Sequence, residues 1–276
     1  MYIAFDFGIT NTDLVIKDQS VEYLSIPSPF DKKKGDFSLS EQHVLKILEH
    51  FKINIKDVES IGVTGGKSAD LPNKISNAGV VKINEIEAIG EGAKSLYNIK
   101  EDSALIVSSG TGTACVHLHK DGSSHLGGIS VGGGMLEGLG NIIMNESNGN
   151  ILNKFAKDGD RNRLDVMIGE AVNEIGKLNA EITASNFGKA KISAAESKEN
   201  LSAALCNMIG EVIGTVAYLN ALLIGANKAY FLGRTSMLSE VRRGIDERLQ
   251  LAGIEGIYAE NRSFGNAIGV MSALEK

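Results

Sequence analysis

The sequence predicts an α/β protein of two domains, each built on a mixed sheet, because one local pattern opens both halves of the chain. In each half an apolar strand-like run leads into a loop of glycine, hydroxyl and other small residues, and a second strand-like run follows. The two copies span residues 3–16 and 104–118. A repeated pattern indicates duplicated domains. Glycine permits tight turns whose amides can face a phosphate, so the pattern predicts one nucleotide site in the cleft between the domains.

The composition fits this architecture and excludes other classes. The chain has 276 residues, which suits two modest domains, and 43% of them are hydrophobic. The formal net charge is −6 without any run of Lys and Arg, so nucleic acid is not an expected partner. No signal-like stretch and no apolar run near about 20 residues is present, which predicts a cytoplasmic protein without a membrane partner. Cys115 and Cys206 are expected to be buried free thiols.

The first half is predicted to contain three strands, a helix, two further strands and a second helix, which make a mixed sheet covered by helices. Hydrophobic periodicity and turn residues give the bounds of each element. Ser40 is the expected N-cap of the first helix. The predicted elements are strands at 2–7, 12–17 and 21–26, a helix to residue 51, strands at 60–64 and 79–83, and a helix at 86–96.

The second half is predicted to restart the pattern at residue 104 and to carry a mostly helical insertion over residues 150–195. We place the boundary near residues 99–103, giving domains 1–101 and 102–276, and expect the final helix to pack back across it. A long apolar helix at 201–224 is a candidate for a subunit or inter-domain contact. The remaining predicted elements are a turn at 120–122, strands at 126–130, 228–232 and 256–260, and helices at 135–144, 239–252 and 266–274.

The first loop offers a carboxylate and phosphate donors. Asp6 ends the first strand, where a carboxylate can hold Mg²⁺ against the phosphates of ATP, or can cap the amides of the turn. Gly8 allows the turn, and Thr10 and Asn11 supply donors to a phosphate unless they only form the turn. These residues predict a site for ATP with Mg²⁺ at Asp6.

The second loop and a glycine run supply the other side of the predicted site. The loop residues that could cradle a phosphate are Ser109, Gly110, Thr111, Gly112 and Thr113. The run of Gly132, Gly133 and Gly134 precedes a helix, whose N-terminal amides suit an anion. A tight strand-to-helix turn explains the three glycines equally well.

Glu85 is the candidate catalytic base. It lies between a predicted strand and the following helix, where side chains face the cleft at the edge of the sheet. Phosphoryl transfer to a hydroxyl requires an acceptor for the hydroxyl proton, and a carboxylate supplies one. The alternative is a first-turn glutamate that only benefits from the helix dipole.

These residues resemble the type II pantothenate kinases, a family of the actin-like ATPase superfold with paired RNase H-like domains. The resemblance covers nearly the whole chain and is most specific in the glycine-rich run at 127–140 and the segment at 183–188. The other matching segments are the first loop with Asp6, Gly8 and Thr10, residues 71–92 with Glu85, residues 109–113 and 158–162, Gly233 before Ser236, and residues 260–269.

The resemblance implies an ATP-dependent kinase of coenzyme A synthesis that phosphorylates pantothenate, with Glu85 as its catalytic glutamate. It implies nucleotide-pocket positions at Phe187, Gly188 and Gly233. The implied nucleotide-phosphate positions are Asp6, Gly8, Thr10, Gly110, Thr111, Gly112, Gly133 and Gly134. It also implies a homodimer formed through the second domain. Feedback by coenzyme A or its thioesters varies within the family, and no residue of this sequence decides it.

Two departures from the family bear on the substrate. Asp13 stands where the family usually has a lysine, which places an anion near the expected phosphates. His125 is the nearest match to an arginine that helps to hold pantothenate, so a bidentate guanidinium is lost. The expected substrate contacts are His125, Gly128 and Arg161, and Lys67, Arg161 or Arg163 could replace the missing cation.

Three hypotheses follow from the sequence. The first is a pantothenate kinase with Glu85 as base. The second keeps the chemistry and changes the acceptor to pantetheine, which lacks the carboxylate, or to another small alcohol. The third is a nucleotide- or acyl-CoA-binding regulator that has lost catalysis.

Overall fold

The computed structural model of the chain describes residues 1–30, 34–173, 180–191 and 196–276. Residues 174–179 and 192–195, which fall in the predicted insertion, lie outside the described residues. The strands are β1 Tyr2–Phe7, β2 Asn11–Lys17, β3 Val21–Pro27, β4 Ser60–Thr64, β5 Lys74–Ile75, β6 Ala78–Lys82, β7 Ser103–Ser109, β8 Thr113–His119, β9 Gly122–Ile129, β10 Val166–Met167, β11 Thr183–Ser185, β12 Lys228–Leu232 and β13 Glu255–Ile257.

Eight α-helices are found in this part of the chain. They are α1 Glu41–His50, α2 Glu85–Tyr97, α3 Gly133–Met144, α4 Gly149–Lys157, α5 Ile168–Ala171, α6 Lys198–Ile224, α7 Ser239–Leu251 and α8 Gly265–Leu274. The predicted helices all form, and Ser40 is the N-cap of α1 as expected. Among the strands of the two large sheets, β5 was not predicted, and β9 begins four residues before the predicted start.

The two large sheets have the same topology, which confirms the predicted duplication. The first has the order β3-β2-β1-β4-β6-β5, and the second has the order β9-β8-β7-β12-β13. In each, the first three strands pair antiparallel and the next two join parallel to them. Two copies of a mixed five-strand arrangement, each with helices, are the expected α/β architecture with two RNase H-like units.

The helices at the junction of the two halves are exchanged. Ile89 and Ala93 of α2 pack into the core of the second sheet, with Val116 and Leu232. In the opposite direction, α8 packs its buried face on Ala4 and Val15 of the first sheet, together with Ala88 of α2. The final helix therefore returns to the first sheet as predicted, whereas the packing of α2 on the second sheet was not predicted. The division at residues 101 and 102 stays a prediction.

The insertion differs from the mostly helical segment expected over residues 150–195. After α4 the described chain forms an antiparallel ribbon of β10 and β11, with α5 between them. The sequence did not predict this short ribbon, because contacts with distant residues fix it rather than its own periodicity. The buried carboxylate of Asp165 accepts a hydrogen bond from the backbone N–H of Phe187 at 2.8 Å and faces Arg161 at 3.6 Å. Burial raises the pKa of Asp165, and both contacts oppose that rise.

The helix α6 has 27 residues and is long and apolar enough, by length and composition only, to cross a membrane. Its contacts are those of a core helix, because Leu205, Ile209 and Ile213 are fully buried in the cluster below the second sheet. Cys115 and Cys206 are buried free thiols in the same cluster, as predicted, and burial raises the pKa of each to about 12.

We predict that Gly269→Ala destabilises the fold, because the added methyl group would clash with the carbonyl oxygen of Ala88 where α8 crosses α2. Overpacking of this kind typically costs about 1–3 kcal/mol. The matched control is Gly138→Ala on the exposed side of α3, where an added Cβ has no atom within 4 Å. That variant should be neutral or gain up to about 1 kcal/mol. Equal urea midpoints for the two variants would contradict the close helix crossing.

Candidate active site

The turn between β1 and β2 is tight because Gly8 closes it. A Cβ on Gly8 would lie 2.8 Å from the backbone oxygen of Asn11, so the turn excludes larger residues. The hydroxyls of Thr10 and Thr111 hydrogen-bond at 3.1 Å across the two halves of the chain. This contact brings the two predicted loops together at the floor of one cleft.

The glycine run at the start of α3 fixes the second loop. The backbone N–H of Gly133 donates to the carbonyl of Gly110 at 2.8 Å, and that of Gly134 donates to the carbonyl of Thr111 at 3.0 Å. A Cβ on Gly132 would lie within 3.0 Å of three carbonyl oxygens of this loop. The amides that were expected to bind a phosphate are therefore already paired, and the tight-turn interpretation holds for these two residues.

Two hydroxyls of the second loop also serve the fold. Ser109 is buried and donates to the carbonyl of Leu232 at 3.3 Å, and Thr113 donates to the carbonyl of Val131 at 2.8 Å. Ser109 is absent from the cleft wall for this reason, and Ser108 takes its place there. Successive residues of a strand face opposite sides of the sheet, so only one of these two serines can face the cleft. The sequence pattern did not show which one.

Three adjoining pockets make up the cleft. The central cleft lies between the two loops, and its wall includes Asp6, Gly8, Thr10, Asn11, Asp13, Gly110, Thr111, Gly133, Gly134, Glu137, Gly233, Arg234 and Asn266. The outer pocket shares Thr10, Glu137 and Arg234 with it and extends along residues 147–150. The Glu85 pocket shares Asp6, Gly8, Gly110 and Thr111 with the central cleft and adds Gly112, Thr113, Ile129 and Ser130.

Glu85 is the first residue of α2, and the side chain of Asn84 caps that helix by accepting the N–H of Ile86 at 2.9 Å. The cap fixes where the helix begins, so the exposed Glu85 side chain lies at the mouth of its pocket. Glu87, two residues further along, is exposed and does not line this pocket. The sequence-based separation of these two glutamates agrees with their positions.

Asp6 lies between the central cleft and the Glu85 pocket. The pKa of its carboxyl is raised to about 8, chiefly by desolvation and also by the neighbouring carboxylates of Asp13 and Glu85. A hydrogen bond with the side chain of Asn266 and the charge of Arg234 oppose the rise. Asn266, at the start of α8, was not singled out from the sequence, although it lies in the matching segment at 260–269.

Asp13 faces the cleft from β2 and is paired there with Arg234, which follows β12. The Nη1 of Arg234 donates to Oδ2 of Asp13 at 2.7 Å, and its Nη2 donates to Oδ1. Asp13 is 4% exposed, so its charge is compensated by Arg234 at a site that is almost inaccessible to water. Arg234 was missed because nothing local marks it: its partner is 221 residues away.

Gly233 lines the central cleft as predicted, and its φ of 87° and close approach to the carbonyl of Ser109 explain the glycine. Other predicted residues are not part of the three pocket walls. Phe187 and Gly188 belong to the insertion, where Phe187 packs on the core and a Cβ on Gly188 would meet Ser185. Their roles in a nucleotide pocket stay predictions.

The predicted substrate residues are also apart from the Glu85 pocket. Arg161 is engaged by Thr183 at 2.6 Å, by the carbonyl of Glu181 and by Asp165, so its guanidinium supports the insertion. His125 is exposed on β9, outside the pocket wall, and Gly128 lies next to the wall residues Ile129 and Ser130. A Cβ on Gly128 would lie 2.5 Å from the carbonyl of Thr113, so packing of β9 on β8 explains this glycine.

The fold is shared with solved ATP-site proteins of low sequence identity. The activator of the 2-hydroxyisocaproyl-CoA dehydratase from Clostridium difficile, with bound ADPNP, superposes with a TM-score of 0.67 at 15% identity, over 99% of this chain and 93% of that one. A ROK family glucokinase from Streptomyces griseus, in complex with glucose and AMPPNP, gives 0.58 at 13% identity, over 99% and 98%. The actin-like ATPase fold with its interdomain cleft is thereby confirmed.

Curated relatives are more similar in sequence. The type II pantothenate kinase of Oceanobacillus iheyensis is 32% identical, and the match covers 77% of this chain and 81% of that protein. The enzyme of the same name from Staphylococcus aureus is 26% identical, over 79% and 84%. A family model described as Fumble matches residues 93–240, which is more than half of the chain. The chain therefore belongs to the Fumble family, that of the type II pantothenate kinases.

Proposed function

We propose that the chain is an ATP-dependent kinase that phosphorylates a hydroxyl of pantothenate, the entry step of coenzyme A synthesis. The relatives named type II pantothenate kinase support the activity. The observation that carries the proposal is the shared wall of two pockets: Glu85 lines one, the two loops line the other, and Asp6, Gly110 and Thr111 belong to both. A hydroxyl in the first pocket would meet a terminal phosphate in the second.

The central cleft has the space and donors that a nucleotide needs. A Cβ on Gly110 would point into open space with no atom within 4 Å, so packing does not account for this glycine, whereas close approach of a phosphate would. The hydroxyls of Thr10 and Thr111 and the guanidinium of Arg234 face the same cleft. In this arrangement the outer pocket takes the nucleoside and the central cleft takes the phosphates. Two solved proteins with this fold hold ATP analogues.

Asp6 is the residue that would hold Mg²⁺, because it is the carboxylate at the junction of the phosphate and acceptor pockets. When bound, Mg²⁺ neutralises charge on the phosphates that are transferred and released. The carboxyl oxygens of Asp6 are the hard ligands that this ion prefers.

The reaction requires one proton acceptor and exclusion of water. The acceptor oxygen attacks the terminal phosphorus, the bond from that phosphorus to the bridging oxygen breaks, and ADP leaves. The hydroxyl proton passes to the carboxylate of Glu85, which lies at the mouth of the acceptor pocket. Orientation and charge stabilisation carry most of such a reaction, so the fixed loops matter as much as the base. Closure of the two halves would exclude water from the cleft.

A second candidate acceptor is favoured by the charges around Glu85. The described residues of that pocket carry the carboxylates of Asp6 and Glu85 and no cationic side chain. Pantothenate brings a carboxylate of its own, whereas pantetheine is uncharged at that end. The same kinase chemistry on pantetheine, or on another small alcohol, is therefore the alternative, unless a partner subunit supplies the cation.

We further propose a cytoplasmic homodimer formed through α6. Leu219, Leu222 and Leu223 lie at spacings of three and four on the last turns of this helix, so they share one face, and their exposed fractions are 53%, 56% and 72%. An apolar stripe of this kind is typical of a covered surface. Coenzyme A or its thioesters remain proposed regulatory ligands.

Replacing the proposed base should abolish turnover without preventing nucleotide binding. We expect Glu85→Gln to lower kcat for ADP release by about 10²- to 10⁴-fold, the usual contribution of a general base, with ATP affinity unchanged. Glu87→Gln, a change of the same kind one half-turn along α2, should keep wild-type turnover. Equal activity in both variants would contradict Glu85 as base, and a wild-type protein that binds ATP without any turnover would favour the regulator hypothesis.

The acceptor should be decided by kcat/KM for pantothenate and pantetheine measured side by side with Mg-ATP. A higher value for pantothenate identifies the first acceptor. Use of pantetheine with negligible use of pantothenate would establish the second candidate instead.

The raised pKa of Asp6 predicts a pH-dependent stability of the ligand-free protein. An unfolded Asp has a pKa near 3.9, so between about pH 4 and pH 8 the folded state holds a proton that the unfolded state has lost. Stability from this group is present below that window and is lost as the pH rises through it.

In EDTA, the fall in Tm from pH 4.5 to 8.5 should be smaller in Asp6→Asn than in the wild type. Asp121→Asn, in the exposed turn between β8 and β9, should keep the wild-type profile. An unchanged profile in Asp6→Asn would contradict the burial of that carboxyl.

Charge on the exposed face of α6 should separate the proposed dimer. We expect light scattering to give twice the chain mass for the wild type and a single chain mass for Leu223→Glu. Val21→Glu, at a 46% exposed position on the edge strand β3, is the control and should remain dimeric. A monomeric wild type would contradict the proposal.

A further inference from the structure

The central cleft is acidic, which is unfavourable for a polyphosphate. Asp6, Asp13 and Glu137 line it, and Arg234 is the one cationic side chain among the described residues of its wall and of the two adjoining pockets. Charge-assisted hydrogen bonds from guanidinium groups are the strong contacts that phosphates accept. If a nucleotide binds here, Arg234 is the side chain able to meet its charge.

Arg234 is held at a defined position. Both oxygens of the buried Asp13 accept from its two Nη atoms, and Ser25 accepts from Nη2 at 2.8 Å. The guanidinium carbon also lies 5.9 Å from the centre of the Phe264 ring. Three of its five N–H groups are engaged in these hydrogen bonds, so two have no acceptor within the described part of the chain. The Arg234 side chain is 38% exposed, which leaves part of it open to the cleft.

The chain on both sides of Arg234 is fixed by hydrogen bonds, on one side to the segment before α8 and on the other side to the second loop. The backbone N–H of Gly233 donates to the carbonyl of Arg262 at 2.8 Å, and the hydroxyl of Thr235 donates to the carbonyl of Gly110 at 2.7 Å. Arg234 therefore starts beside the loop that faces the phosphates and reaches across the cleft to β2. Its partner is anchored as firmly, because Asp13 lies within the strand pairs that β2 forms with β1 and β3.

We propose that Arg234 contacts the polyphosphate of the nucleotide directly and that Asp13 is the positioning residue that holds its guanidinium across the cleft. The inference rests on the proposed function only in taking ATP as the nucleotide. It assigns to the second half of the chain a phosphate contact that neither predicted loop contains.

Two variants that both lack the buried carboxylate of Asp13 distinguish a purely structural role of Arg234 from direct contact with phosphate. Asp13→Asn removes the ion pair and keeps the guanidinium. Asp13→Asn with Arg234→Gln removes the guanidinium as well, without leaving a buried carboxylate unpaired. Affinities for Mg-ATP and for AMP are measured by calorimetry or by competition with a fluorescent ATP analogue, without an acceptor, and Tm reports folding.

The double variant should bind Mg-ATP about 10- to 100-fold more weakly than Asp13→Asn, with AMP affinity changed little, since one charge-assisted contact to the outer phosphates is lost. Asp13→Asn with Arg234→Lys should recover part of the ATP affinity. The same variant replaces the glutamine variant in the comparison if the latter does not fold. Equal ATP-to-AMP ratios in Asp13→Asn and in both double variants would overturn the inference and leave the proposed function intact. A wild-type protein that does not bind Mg-ATP would overturn the proposed function and the inference together.

Discussion

The close crossing of α2 and α8 sets the geometry on which the cleft depends. Each helix belongs in sequence to one half of the chain and packs on the sheet of the other half. Gly92 and Gly269 bring the two backbones together at a distance that no side chain would allow. Because α2 begins with Glu85 and α8 begins next to Asn266, this one contact also places the proposed base and the partner of Asp6 at the same cleft.

Polar contacts between the halves then define the floor of the cleft. The Thr10–Thr111 hydrogen bond joins the two loops, and the Asp13–Arg234 pair joins the second strand to the far wall. The glycines before α3 hold the second loop through its own carbonyls. The loops are consequently held by hydrogen bonds within the chain, and electrostatic catalysis of phosphoryl transfer depends on such fixed groups.

The sequence predicted the architecture well because the hydrophobic periods of 2 and 3.6 residues are local and strong in most elements. The same reasoning placed Asp6, Gly110, Thr111 and Glu85 at cleft walls, where turn glycines and strand ends mark them, whereas Gly233 was expected there from the family resemblance. It failed where a role depends on distant partners. From the sequence alone Asp13 is an unfavourable charge, but in the structure it pairs with Arg234, which lies 221 residues further along the chain. Arg161 was expected to be available for the substrate, but it contacts Thr183 and Asp165 instead. Ser109 and Ser108 differ only in strand phase, which composition does not reveal.

The central claim is that this cleft transfers the terminal phosphate of ATP to a small alcohol held beside Glu85. The most direct measurement is phosphorus NMR with mass spectrometry of the products after incubation with Mg-ATP and pantothenate. The account predicts one new phosphate ester that carries the mass of pantothenate plus one phosphoryl group, in amounts equal to the ADP formed. ADP accompanied only by free phosphate, with either pantothenate or pantetheine present, would contradict it.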